Sequence, residues 1–221
     1  MVYRGFEHWL PVSWRLLMGR VRNHPPALRL RSRQGPILET LAGDRSWWIC
    51  VEVFGRDCYR LAALRLPAAP TVVDIGANLG AFTLAVRAAR PKAQTTSFEP
   101  SPTAFGMLVL SVRRNESSWA RATLHQVAVT GSEAGPTGRL AERVGDRCPS
   151  STLPDASGDR LVNEIEVPSR SLATVLSSCP NGVDLVEIDS ERGIRHDLHR
   201  AARKASDRPP VGYRVPLCGW T

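Results

Sequence analysis

The stretch that decides the fold of this chain is Thr71-Val72-Val73-Asp74-Ile75-Gly76-Ala77-Asn78-Leu79-Gly80. A β-branched run ends on a carboxylate, and a glycine-containing turn then leads directly into residues with helical apolar spacing. Glycine lets a ligand approach the backbone closely, so this strand, turn and helix form a unit in which a cofactor can lie against the main chain. The segment therefore predicts a nucleoside-binding unit of an α/β protein.

Further apolar strands follow, and two of them also end on an acid. Glu99 comes directly after the segment Thr95 to Phe98, and Asp189 ends the segment Val183 to Asp189. Segments with helical spacing alternate with these strands, at 81–90, 101–112 and 171–177. Strands that alternate with helices form a mostly parallel sheet, so the sequence predicts a doubly wound, Rossmann-like α/β fold. The acids then lie at the carboxyl ends of the strands, where such folds place their sites.

The remaining segments carry weaker signals. Residues 8–22 have the pattern of an amphipathic helix, and residues 36–66 that of short strands, the clearest being Trp47 to Phe54. A third core strand is expected from Leu124 to Val129. Residues 131–163 are rich in glycine and proline, and their weak periodicity predicts a long loop.

Composition narrows the class of protein. The 221 residues fit one α/β domain, and the net charge of +8 is concentrated in an arginine-rich tail, so we expect no nucleic-acid partner. Five scattered cysteines without Cys-x-x-Cys spacing predict reduced thiols and no metal site. We expect no membrane association and a cytoplasmic location, because the sequence has no long apolar run and no secretion signal.

The turn after the first core strand favours a particular ligand chemistry. Gly76 and Gly80 do not satisfy the Gly-x-Gly-x-x-Gly spacing that admits a pyrophosphate, and Asp74 would repel a phosphate. An acid there suits a cationic ligand, while Glu99 can accept hydrogen bonds from both hydroxyls of a ribose. S-adenosylmethionine has a ribose, an ammonium and a sulfonium, and it has no phosphate. The alternative is an ordinary turn with an incidental acid.

The chain resembles the FkbM-type methyltransferases over about residues 47–191. The resemblance rests on the segments 72–84, 97–102 and 183–191 and on Asn115, taken in that order along the chain. These are class I S-adenosylmethionine-dependent enzymes, generally O-methyltransferases of sugars and natural products. The resemblance implies S-adenosylmethionine as cofactor and a small-molecule or glycan hydroxyl as acceptor.

The resemblance also implies roles for individual cofactor-binding residues. Asp74, Gly76 and Gly80 are expected to border the methionine part of the cofactor, and Glu99 to hold the ribose. Asn78 matches the motif as a turn-forming residue, and a cofactor contact for it stays open.

On the acceptor side, the resemblance implies that Asp189 and Glu191 border the cleft. By position they are the nearest candidates for the base that takes the proton of an acceptor hydroxyl. The alternative is that Asp189 caps its loop or orders water. His125, inside a predicted strand, is expected to be structural, and the pair Trp47 and Trp48 to pack in the core rather than line an acceptor pocket.

The pattern of the family ends after Glu191. We divide the chain into an N-terminal helix and short strands at 1–66, a cofactor-binding core at 67–191 and an atypical basic tail at 192–221. The tail predicts a sheet that lacks its C-terminal strands, leaving the strand before Asp189 near an open edge, and a shifted reading frame would explain it. An inactive or unstable remnant of a methyltransferase is therefore one alternative function, and an NAD-dependent oxidoreductase is another.

Overall fold

A computed structural model gives the fold. It describes residues 6–7, 27–41, 46–116, 122–131, 135–143, 150–151, 162–189 and 213–214. The helix predicted for residues 8–22 lies outside these ranges. The strands, in chain order, are β1 (Ala27–Arg31), β2 (Ile37–Leu41), β3 (Thr71–Ile75), β4 (Gln94–Phe98), β5 (Ala122–His125), β6 (Ala128–Thr130), β7 (Thr137–Arg143), β8 (Ser150–Ser151), β9 (Val162–Ser171), β10 (Leu185–Ile188) and β11 (Tyr213–Arg214).

Within the described ranges, four α-helices accompany the strands: α1 (Ser46–Cys50), α2 (Ala81–Ala89), α3 (Pro102–Arg113) and α4 (Leu172–Ser177). A π-helical turn, Val51–Gly55, continues α1. The hydroxyls of Ser101 and Ser171 accept backbone N–H groups of Ala104 and Thr174 and so cap α3 and α4. Both caps lie where the sequence predicts a helix to begin.

As far as the structure describes the chain, the central sheet has five strands in the order β11-β10-β3-β4-β5, and their pairings are all parallel. On one face, Val72 and Leu185 pack in a core cluster with apolar residues of α2 and α3. On the other face, Val73 and Val186 pack against Leu172 of α4 and its neighbours. Helices thus cover both faces, which confirms the predicted doubly wound, mostly parallel α/β fold.

The short strand β11 corrects one expectation. It pairs with the middle of β10, with Tyr213 opposite Val186 and Arg214 opposite Glu187. The basic tail therefore contributes a strand to the sheet, and β10 is not the open edge that the sequence predicted.

The strand predicted from Trp47 to Phe54 is wrong, because this segment is helical. Cys50, Val51 and Phe54 are buried at helical spacing, and Trp48 Nε1 donates to Glu52 Oε1 one turn later, at 3.1 Å. The β-branched and aromatic residues favour a strand locally, but the run lacks the alternation that would separate a strand from a buried helix. Packing against the core then decides in favour of the helix.

The strand predicted from Leu124 to Val129 divides in two. Its first half is β5 of the central sheet, whereas its second half, β6, joins a separate sheet of order β6-β9-β7-β8. The loop predicted for residues 131–163 is also wrong in part, because β7 lies within it and pairs antiparallel with β9. Leu140 and Val167 form a small core of their own under this pairing, with Ala128 of β6.

Candidate functional site

The turn between β3 and α2 has an unusual backbone. Gly76, Asn78 and Gly80 all have positive φ, at 82°, 51° and 89°. Glycine adopts such angles freely, and asparagine is among the few other residues that tolerate them. The residues of the sequence motif are therefore those that the backbone of this turn requires.

Main-chain hydrogen bonds join this turn to the neighbouring strand ends. The N–H groups of Gly76 and Ala77 both donate to the Phe98 carbonyl, at 2.9 and 3.0 Å, and the Asp189 N–H donates to the Ile75 carbonyl at 2.9 Å. A Cβ placed on Gly76 would lie 2.3 Å from the Asp189 carbonyl oxygen. The carboxyl ends of β3, β4 and β10 thus meet at one edge, as the sequence predicts.

Glu99 holds the tip of the turn. It is only 4% exposed, its Oε2 accepts the Asn78 N–H and its Oε1 accepts the Ser101 N–H, each at 2.8 Å. Burial raises the pKa of Glu99 to about 7, although these two hydrogen bonds act to lower it. An ionised carboxylate has about four acceptor positions, so both oxygens of Glu99 can accept a further hydrogen bond from a ligand.

Asp74 lies beneath the turn rather than at its opening. It is 1% exposed, and its Oδ2 accepts a hydrogen bond from the Thr83 hydroxyl of α2. The same hydroxyl lies 2.7 Å from Ser97 Oγ of β4. Burial raises the pKa of Asp74 to about 6, while the Thr83 hydrogen bond acts to lower it. Asp74 is therefore a buried acid held between the turn, α2 and β4.

Of the two predicted acceptor-side acids, the structure describes one. Asp189 follows β10 directly and is exposed, beside the Gly76 turn that its carbonyl contacts. Glu191 lies outside the described residues. Among the residues described, no group of three or more His, Cys, Asp or Glu side chains could hold a metal ion.

His125 and Trp48 are the two aromatic candidates whose side chains the structure describes. His125 stacks on Phe98, with ring centroids 4.9 Å apart, and burial lowers its pKa. Trp48 packs against the core cluster of α2 and carries the Arg56 guanidinium over its ring, 4.8 Å from the centroid. Both side chains have structural contacts.

None of the described helices is long and apolar enough to cross a membrane.

The sequence pattern did not single out Glu187 at this edge, nor Tyr59, which contacts it. Glu187, in β10, is 2% exposed and accepts a hydrogen bond from the Tyr59 hydroxyl at 3.3 Å. Glu187 and Asp74 are paired in register across β10 and β3. An acid inside the apolar run of residues 185–188 was the available signal, because alternation places Glu187 and Asp189 on the same side of the strand.

Comparisons with known proteins return methyltransferases. The chain is 36% identical over 70 residues to the methyltransferase sdnD of Sordaria araneosa, and this match covers 32% of the chain and 26% of that protein. The chain thus matches about a quarter of the relative's length. No family model matches the chain.

Two solved structures are also similar. The methyltransferase FkbM of Methylobacillus flagellatus has 16% identity and a TM-score of 0.44, over 66% of this chain and 32% of that one. TYW2 of P. horikoshii, in complex with MeSAdo, has 17% identity and a TM-score of 0.37, over 48% and 42%. At these TM-scores the likenesses add nothing to the fold that the strand order defines.

Proposed function

We propose that this chain is the cofactor-binding part of an S-adenosylmethionine-dependent methyltransferase that methylates a hydroxyl of a sugar or natural product. The observation that carries the proposal is Glu99, a buried carboxylate held by two backbone N–H groups at the tip of a glycine turn. The match to sdnD, a methyltransferase, supports the reaction class.

The described residues fit this cofactor better than a dinucleotide. Glu99 retains acceptor positions for two ribose hydroxyls, which either cofactor would use. Asp74, buried beneath the same turn, adds negative potential where a dinucleotide would bring its pyrophosphate. The site therefore favours a nucleoside with a cationic group over one with phosphates.

In this proposal, Asp74, Gly76 and Gly80 border the methionine part of the cofactor, and Glu99 binds its ribose. Asn78 forms the turn and is a further candidate for cofactor contact. When bound, S-adenosylmethionine supplies an electrophilic methyl group on its sulfonium. The chain's own contribution is to hold the acceptor oxygen in line with that group and to exclude other geometries.

Asp189 is the described residue best placed to serve the acceptor. It is exposed at the end of β10, next to the turn, and its backbone is fixed by the hydrogen bond to Ile75. A carboxylate there can accept the proton of an acceptor hydroxyl as the new bond forms. Glu191, two residues later, is proposed to border the same side of the cleft.

The test is calorimetry with S-adenosylhomocysteine, the product form of the cofactor. We expect the wild type to bind, and Glu99→Gln to weaken binding roughly tenfold to a hundredfold, because an amide has one acceptor oxygen and loses the charge-assisted bonds. Glu166→Gln is the matched control, since Glu166 is an exposed acid of β9, and it should bind like the wild type.

The same titration separates the alternatives. Absence of binding to the wild type, in a sample that unfolds cooperatively, would sink the proposal and favour an inactive relative of the family. A preference for NAD over S-adenosylhomocysteine would identify an oxidoreductase. Methyl transfer to sugar and polyketide hydroxyls, followed with labelled cofactor, then tests the acceptor class.

A further inference from the structure

Glu187 is a second buried acid at this edge, and the proposed function does not use it. Glu187 and Asp74 are direct partners across the parallel strands β10 and β3, so their side chains leave the sheet on the same face. Asp74 is 1% exposed and Glu187 is 2% exposed. Two carboxyl groups therefore lie side by side, out of contact with solvent.

One carboxylate oxygen of the pair lacks a hydrogen-bond donor. Thr83 donates to Asp74 Oδ2, and Tyr59 donates to Glu187 Oε1. Asp74 Oδ1 is buried and has no hydrogen-bond partner among the described residues when both acids are ionised. The Glu187 carboxyl is close enough to hydrogen-bond to Asp74, so a proton on Glu187 would provide the missing donor.

The groups that face the pair make double ionisation costly. The charged groups that act most strongly on Glu187 are Asp74 and Asp189. The phenol of Tyr59 packs against Glu187 from the segment after the π-helical turn, and Cys58 lies beside Tyr59. Burial, followed by these acids, raises the pKa of Glu187 well above its usual range. Two like charges in contact and away from water cannot both be stable.

We propose that Glu187 keeps its proton and donates a hydrogen bond to Asp74 Oδ1, so that the pair carries a single negative charge, located on Asp74 beneath the Gly76 turn. Glu187 is then a positioning residue that acts through Asp74. The proton stays within the pair, and Tyr59 fixes the orientation of the Glu187 carboxyl through its other side.

This charge has a consequence that rests on the proposed function. S-adenosylmethionine carries an ammonium, a sulfonium and a carboxylate, and hence one net positive charge. One negative charge below the turn complements it, whereas two ionised acids would destabilise the fold and a neutral pair would give no attraction. Glu187 thereby sets the charge that the cationic part of the cofactor meets.

The first test needs no ligand. Because folded Glu187 keeps a proton that the unfolded chain releases above about pH 4.5, it makes unfolding easier as the pH rises. In Glu187→Gln, the unfolding free energy should fall less steeply with pH, by about one bound proton. At pH 7 this variant should unfold at or above the wild-type temperature, because its amide can donate the same hydrogen bond to Asp74. Infrared spectroscopy should show the loss of a protonated carboxylic acid band.

Three results of this test would overturn the inference. They are a wild-type pH dependence in Glu187→Gln, an unchanged infrared band, or failure of that variant to fold. The control, Glu166→Gln, removes an exposed acid and should leave both measurements as they are in the wild type.

The second test is binding of S-adenosylmethionine at pH 7. Glu187→Gln keeps the charge on Asp74 and should bind within about twofold of the wild type, whereas the isosteric Asp74→Asn should bind roughly tenfold or more weakly. Equal weakening in both variants would refute the assignment of the charge to Asp74. If the wild type itself does not bind, the proposed function fails, while the pH and infrared results still decide where the proton lies.

Discussion

Gly76 lies where the carboxyl ends of three strands of the sheet meet. Its φ of 82° is open to glycine, and its missing side chain leaves room for the Asp189 carbonyl of β10. Gly80 has a similar φ, but a Cβ there would meet the Leu108 side chain at 2.7 Å, which is a more adaptable neighbour than a backbone oxygen. The close approach of β3 and β10 therefore depends on Gly76 in particular.

Replacing Gly76 by alanine tests this dependence. We expect Gly76→Ala to lower the free energy of unfolding by about 2–4 kcal/mol, because the new Cβ is strained by its φ and would displace a backbone carbonyl. Gly106→Ala, in α3 with nothing within 4 Å of the new Cβ, should instead raise it by about 0.5–1 kcal/mol. Denaturant unfolding of both variants measures the difference, and equal stabilities would refute the packing argument.

At the scale of elements, side chains rather than a strand ladder attach the β1–β2 hairpin to α3. Asn115 Oδ1 accepts the Ile37 N–H at 3.0 Å, and Asn115 Nδ2 donates to the Ile37 carbonyl at 2.7 Å. Ser111 Oγ accepts the Glu39 N–H at 2.9 Å. The amide of Asn115 thus replaces a strand residue as the partner of β2, and this contact gives the motif asparagine a structural role.

Asn115→Ala should loosen this attachment. It leaves both backbone groups of Ile37 without their partner in a part-buried position, so we expect a loss of about 2–3 kcal/mol in unfolding free energy. The amides of β2 should also exchange hydrogen faster than they do in the wild type, while those of β3 should exchange at the wild-type rate. Arg113→Ala, at an exposed neighbouring position, is the control and should change stability by less than about 0.5 kcal/mol. Unchanged exchange in β2 would contradict the proposed attachment.

At the scale of the whole molecule, one edge of the sheet concentrates buried acids with raised pKa values. The pKa is about 6 for Asp74 and about 7 for Glu99, and that of Glu187 lies well above its usual range, in each case chiefly through burial. Acids that keep their protons on folding stabilise the folded state most at low pH. The unfolding free energy should therefore carry a component that falls as pH rises.

We expect the contributions of Asp74 and Glu99 to be fully present below about pH 4 and to be lost between about pH 4 and pH 7, with a slope of up to roughly 1.4 kcal/mol per pH unit for each proton. The contribution of Glu187, which keeps its proton, should continue to fall above pH 7. Urea unfolding at a series of pH values measures it. Glu99→Gln should flatten the curve up to about pH 7. A free energy that rises throughout this range would show that these acids are not protonated in the folded protein.

The elements that could be predicted from the sequence are those with strong local signals. β3 and β10 are short, mainly apolar runs and β4 is rich in β-branched threonine, and each has an acid at or next to its carboxyl end. α2 begins after a glycine turn, and α3 begins after a serine cap with proline. These features act within a few residues of one another, so periodicity and capping reveal them. The strand predicted for residues 47–54 was wrong because burial in the core overrides the local preference of its β-branched and aromatic residues.

The residues of the candidate site also differ in whether the sequence alone could predict them. Glu99 could be found because it follows its strand directly, whereas the partnership of Glu187 and Asp74 depends on the register between strands more than 100 residues apart in sequence. Likewise, the division of residues 124–129 between two sheets follows from pairings with β4 and β9. Long-range pairing leaves no pattern within a single segment.

The contacts that shape the Gly76 turn have a consequence for how the protein tolerates genetic variation. Phe98 contributes its carbonyl, Asp189 its N–H and carbonyl, and Ile75 its carbonyl, and every residue type except proline offers all of these groups. Substitutions at such positions alter side chains but leave these particular contacts in place. The shape of the turn should therefore tolerate substitution of most residues around it, and its sensitive positions are Glu99 and the positive-φ residues Gly76, Asn78 and Gly80.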